Sequence, residues 1–302
     1  MIFVSERTQN LETLHIALLF QDQPSKTQVF NFAQVYDTFK GVRMEDSGCI
    51  AGDYLIYVST MEPAPEPHQP WTAVYKTNLN DGKTERLTLK GQADLSPSVS
   101  PDGNRIAVAS LQRKAGWDGE IEDLKTSIFV MNVNRPLNRE LVVVDGGWPT
   151  WGSNNVLYFH RNIEKVKIQK RWGVFRVDLR VGPKSVTRVT PAEISAMTPA
   201  AIDENKVVVA TVRRSFTFDD QDEREVDQYR HIEVFDMSQP KEKVIEITKK
   251  TRPMADHFNP FVVGDAINGV KRIGYHHCHS DKLNAIALLR KISTSYNLRI
   301  RK

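Results

Sequence analysis

Cysteine is almost missing from this sequence: the chain has two, Cys49 and Cys278, far apart. That pair is too sparse for a disulfide scaffold and fits a reducing compartment. Long apolar runs are missing as well. No stretch approaches the ~18 consecutive apolar residues of a membrane helix. The opening Met1-Ile2-Phe3-Val4-Ser5-Glu6-Arg7 lacks the basic start and apolar core of a signal peptide. A cytoplasmic chain with no membrane partner is therefore expected. Neither charge sign is in large excess. The net charge is +4, and the last twenty residues hold five positives (Arg290, Lys291, Arg299, Arg301, Lys302) and no acid. The remainder sits within one charge of neutrality, so no nucleic-acid partner is expected.

Enzyme signatures are equally scarce. There is no Gly-x-Ser-x-Gly elbow, no His-Glu-x-x-His, no phosphate-binding glycine loop and no Cys-x-x-Cys. Motifs thus assign no catalytic residue and no cofactor. With 40% hydrophobic and 26% charged residues among 302, the composition is that of a folded globular chain. No long amphipathic helical period occurs over residues 1–280.

What is present is a repeat. Apolar runs of one kind recur at Ile56–Ser59, Ile106–Ser110, Leu157–Arg161, Val207–Thr211 and Ile273–His277, their starts 50, 51, 50 and 66 residues apart. A proline marks the strand before each of four runs: Pro97, Pro149, Pro199 and Pro260. The turn Pro101-Asp102-Gly103 separates one such pair, with proline presetting φ and Asp-Gly tolerating the left-handed region. Third strands are expected at Ala73–Leu79, Ser127–Val133, Gly173–Leu179 and His231–Met237. Fourth strands are expected at Thr84–Leu89, Arg139–Asp145, Ser185–Thr190 and Lys243–Thr248. Four short antiparallel strands repeating every 40–50 residues are the pattern of propeller blades, whose faces are covered by their neighbours.

The motif Ser100-Pro101-Asp102-Gly103-Asn104-Arg105-Ile106-Ala107-Val108 resembles the TolB-type repeat, shared with the N-terminal propeller of dipeptidyl peptidase IV-like proteins. Asn259-Pro260-Phe261-Val262 followed by Lys271-Arg272-Ile273-Gly274-Tyr275-His276 is similar to plant TolB-like proteins. The resemblance implies an all-β propeller of five to six blades over residues 1–280, without the hydrolase domain, followed by a basic tail over 281–302. The ring is either incomplete or closed by N-terminal strands at Ile2–Arg7, Leu14–Phe20 and Thr27–Phe32.

Candidate functional residues fall into two groups. The run Tyr275-His276-His277-Cys278-His279 holds four potential metal ligands, but strand alternation puts His277 and His279 on one face and His276 and Cys278 on the other. Two ligands per face fall short of a zinc site, so no metal is expected. The second group follows from long connections between second and third strands at Met61–Thr72, Leu111–Thr126, Asn162–Trp172 and Val212–Arg230, which emerge on one face. These carry or border Trp71, Trp117, Arg161, Trp172, Arg213 and Arg214, types enriched in binding hot spots. His257 and His276 end strands or sit in loops toward that face. Two readings follow: a non-catalytic module binding a protein, peptide or carbohydrate, or a hydrolase or lyase at the channel mouth. An incomplete propeller without independent function is the third.

Overall fold

The computed structural model describes residues 2–5, 12–18, 26–40, 44–62, 72–111, 125–166, 169–212, 230–238, 243–248, 255–264 and 271–279. Antiparallel strands account for nearly all regular structure, and the fold class is a β-propeller of four-stranded blades. The chain divides into two compact units, residues 1–149 and 150–302. Among the described residues no helix is long and apolar enough to cross a membrane.

The first unit begins with β1 (Ile2–Ser5), β2 (Thr13–Leu18) and β3 (Gln28–Asn31), which form a three-stranded sheet of their own. A four-stranded sheet follows: β4 (Glu45–Ala51), β5 (Tyr54–Ser59), β6 (Ala73–Asn78) and β7 (Thr84–Arg86). The next comprises β8 (Asp94–Val99), β9 (Arg105–Leu111), β10 (Thr126–Asn132) and β11 (Arg135–Val143).

The second unit repeats the plan. One sheet holds β12 (Gly147–Ser153), β13 (Val156–Val166), β14 (Gln169–Asp178) and β15 (Thr187–Arg188). Another holds β16 (Ser195–Ala201), β17 (Lys206–Val212), β18 (Arg230–Asp236) and β19 (Lys243–Glu246). A two-stranded sheet of β20 (Ala255–Gly264) and β21 (Lys271–His279) ends the described chain. Residues 281–302 lie outside the described residues. Expected fourth strands are shortened to two to four residues in β7, β15 and β19, because their last residues leave the ladder for the latch described below. β11 instead starts four residues early, at Arg135, and runs for nine.

Sheet faces cover one another, as radial stacking requires. Ile56, Val58 and Val74 pack against Ile106, Val108 and Met131 in the first unit. Tyr158 and Val174 meet Val207, Val209 and Phe235 in the second. A smaller core seats Ile273, Val262 and Tyr275 on Val208, Ala210, Ile232 and Val234.

Two local devices explain the period. The first is a left-handed residue in the first strand of five sheets, at Ser47, Ser96, Trp148, Thr198 and Asn259, all with φ between 46° and 53°. Pairing slips there between Asp46 and Cys49, Leu95 and Ser98, Met197 and Ala200, and Phe258 and Phe261. Four of the five residues precede the prolines that mark the repeat. A following proline disfavours the right-handed helical region and offers no N–H to the ladder, so it tolerates a bulge where pairing lapses.

The second device is a threonine latch. Val74, Val174 and Ile232 N–H groups donate to the Oγ1 atoms of Thr88, Thr190 and Thr248 at 2.8, 3.1 and 2.9 Å. Each threonine lies just beyond a short fourth strand and is buried. Thr190→Val is expected to lower stability by about 1–3 kcal/mol, since the Val174 N–H would lose its side-chain partner, whereas Thr190→Ser stays near wild type. Urea denaturation of the two variants checks this.

Candidate functional site

The first candidate region is built on the longest ribbon among the described residues. β13 and β14 run for 11 and 10 residues, against six or seven in the matching strands β5, β6, β9, β10, β17 and β18. Their pairing continues from Val156↔Asp178 out to Val166↔Gln169. The expected loop Asn162–Trp172 is therefore corrected to a β-ribbon. The spacing of second and third strands suggested a connection there, but the ladder continues through it, with Glu164 opposite Arg171 in register.

At the base of this ribbon the half-buried Trp172 packs on His160, ring centroids 4.8 Å apart. The Trp172 backbone N–H donates to Ser195 Oγ at 3.2 Å, tying the ribbon to β16. His160 Nδ1 accepts the Thr198 N–H at 3.2 Å, which assigns the neutral ring's proton to Nε2. Burial lowers the His160 pKa to about 4, so the imidazole is neutral at physiological pH. On the opposite face the Arg161 guanidinium lies 5.3 and 5.0 Å from the ring centroids of Phe159 and Phe175. At Gly173 an added Cβ would meet Ile163 Cδ1 at 2.3 Å, so that side chain would have to move to admit one.

A second cluster occupies β18, β20 and β21. His257 Nε2 and His277 Nδ1 are 2.8 Å apart, directly across the β20–β21 pair. His231 stacks on His257 with centroids 6.1 Å apart, and Tyr275 meets His257 edge-on at 5.4 Å. Beside them Asp256 accepts from Arg230 through the backbone N–H at 2.8 Å and through Nε at 3.0 Å. The guanidinium lies 4.4 Å from the Phe258 ring centroid. His276 turns to the other side and meets Phe258 at 5.2 Å; burial lowers its pKa. Among the described residues no group of three His, Cys, Asp or Glu is arranged to hold a metal ion.

No protein-family model matches the sequence, and no curated protein matches it. Solved structures do. The putative TolB from Agrobacterium tumefaciens superposes with a TM-score of 0.52 at 15% identity, covering 77% of this chain and 75% of that one. The fold is a TolB-like β-propeller. TolB from Acinetobacter baumannii aligns with a TM-score of 0.51 at 15% identity, over 89% of this chain and 57% of its own. An oligogalacturonate lyase in complex with manganese gives a TM-score of 0.54 at 8% identity, over 98% of this chain and 72% of that one. At such identities the likeness is one of fold.

Within the propeller, the sequence candidates separate. Trp71, Trp117, Arg213 and Arg214 lie outside the described residues. Trp172 and Arg161 share the ribbon but lie on opposite faces of it, whereas His257 and His276 occupy neighbouring strands and opposite faces. His160, Asp256, His257 and His276 each engage a different partner and do not converge on one point. Four residues escaped sequence reasoning: Ser195, Thr198, Arg230 and His231. The bulge that exposes the Thr198 N–H follows from Thr198-Pro199, a signal available in the sequence. The contacts of Arg230 and His231 depend on a neighbouring sheet 25 residues downstream, for which no local pattern exists.

Proposed function

We propose that the chain is a non-catalytic recognition module, taking a protein, peptide or carbohydrate ligand on the face that carries the connections between second and third strands. The observation that supports it is the β13–β14 ribbon with Trp172 at its base. A half-buried indole packed on His160, on a backbone fixed by the Trp172 main-chain N–H donating to Ser195 Oγ, is a preorganised contact surface. Aromatic side chains of this kind supply much of the affinity of peptide and sugar sites at little ordering cost.

Binding to peptide and oligosaccharide arrays, followed by titration calorimetry on the strongest binder, tests the reading. Trp172→Ala is expected to weaken that binding about tenfold or more, which is about 1.4 kcal/mol. Trp172→Phe should retain most of it. Mass spectrometry should recover the ligand unchanged. Cleavage of the ligand, or full affinity in Trp172→Ala, overturns the proposal.

A propeller hydrolase or lyase is the second reading, favoured by the imidazole pair of the buried His257 and the half-buried His277. Its weakness is that the ionisable groups of this region engage one another or the backbone in separate sets.

A further inference from the structure

The last sheet is held to its neighbour by unusual means. β20 and β21 contribute a small apolar patch, Ile273, Val262 and Tyr275, to the core shared with β17 and β18. Beside that patch, contact between the sheets passes through ionisable side chains: the His231–His257 ring stack and the Arg230–Asp256 pair, with His277 bonded to His257 across β20–β21 inside the last sheet. His257 is 4% exposed, so water offers little compensation if the stack changes charge.

We propose that the stack His231–His257–His277 is an acid-opened latch: while its rings are neutral it holds β20–β21 against β16–β19, and protonation releases that sheet while the others remain folded. A neutral pair satisfies the 2.8 Å contact between His257 Nε2 and His277 Nδ1, with one nitrogen donating and the other accepting. Protonating both rings turns both nitrogens into donors, removes that hydrogen bond and places two positive charges side by side. His231 adds a third ring within stacking distance.

The charged and titratable groups around the stack offset this only in part. β18 supplies Arg230 and His231, with the buried Glu233 two residues along the strand; β20 supplies Asp256; β21 supplies Tyr275 and His277. Asp256 is engaged by Arg230 through three nitrogen–oxygen contacts of side chain and two of its carboxylate oxygens are used. β16 carries no ionisable residue, and β17 presents Thr211 opposite His231, its lysine standing at the far end of the strand. Burial first, then His277 and His231, lower the His257 pKa, against the Arg230 backbone and Asp256, to about 4. The ordinary value is 6.5, so between pH 6.5 and about 4 the released state binds more protons than the latched one. The latch is therefore intact above pH 6.5 and weakens as pH falls below it.

Hydrogen–deuterium exchange of the whole chain at pH 7.5 and 5.0, corrected for intrinsic exchange rates, tests this. Protection of residues 255–264 and 271–277 should fall at pH 5.0 about tenfold more than that of β13 and β17. The double variant H257Q/H277N, whose amides can keep one hydrogen bond without titrating, should show no such difference. Equal changes across all strands of the wild type, or the same selective loss in the double variant, overturn the proposal. Nuclear magnetic resonance titration of the histidine rings in the wild type is independent of that variant's folding. Depressed titration of His257 supports the latch, and titration at or above its ordinary value overturns it.

Discussion

Arg139→Ala is expected to cost about 3–5 kcal/mol of stability, the range for removing one partner of a buried ion pair. Arg139 on β11 and Asp94 on β8 join the outer and inner strands of one sheet. Their nitrogen–oxygen distances are 3.0 and 3.1 Å, and their side chains are only 6% and 0% exposed. The guanidinium also lies 4.4 Å from the Phe129 ring centroid and donates to Gln92 at 2.6 Å. Truncation leaves the Asp94 carboxylate buried without its cation, and that uncompensated charge, more than the lost attraction, sets the size of the effect. R139M/D94L removes both charges and keeps most of the volume. It should recover to within about 1–2 kcal/mol of wild type. Urea denaturation of both proteins separates the cases; equal losses in the single and double variants would show that shape rather than charge dominates.

Gly152→Ala is expected to have the second large effect, about 3 kcal/mol, at the upper end of the overpacking range. A Cβ at this position would lie 2.7 Å from the backbone oxygen of Asp203 and 2.7 Å from Tyr158 Cε2. Neither can retreat easily. Asp203 belongs to the turn between β16 and β17, and Tyr158 is fully buried with its hydroxyl donating to the Glu204 carbonyl at 2.7 Å. Burial also raises the Tyr158 pKa, so the hydroxyl stays a donor throughout the physiological range. Gly173→Ala is the control. Its Cβ would meet the side chain of Ile163, which can rotate away, so a loss of about 1 kcal/mol is expected. Thermal unfolding of the two variants under one condition gives the comparison, and equal losses would refute the argument from backbone rigidity.

Both positions show what local pattern conveys and what it leaves out. The run Ile106–Ser110 and its relatives predict second strands because buried strands need continuous apolar, β-branched stretches. The turn Pro101-Asp102-Gly103 behaves as its chemistry requires: Gly103 has φ 74°, and Asp102 accepts from Ser100 Oγ and from the Asn104 N–H. Gly152 and Arg139, by contrast, carry no local mark. Their importance arises from atoms about fifty residues away in sequence.

The ribbon β13–β14 marks a similar limit. Charged residues between Asn162 and Trp172 are compatible with a loop or with a ribbon, and cross-strand register decides between them. The threonine latches were within reach of inspection as Leu87-Thr88, Val189-Thr190 and Ile247-Thr248, yet a Thr after an aliphatic residue is too common to stand out without its partner.

Cysteine scarcity, near-neutral charge, absent enzyme motifs and the 50-residue spacing of apolar runs are properties of residue type and interval, and sequence alone determined them, with the blade architecture they imply. Packing of one sheet on the next decided the rest: that Trp172 meets His160, that Arg230 pairs with Asp256, and that His257 faces His277 rather than His276. Strand alternation separates His276 from His277, but only register and the neighbouring sheet supply the group each one touches.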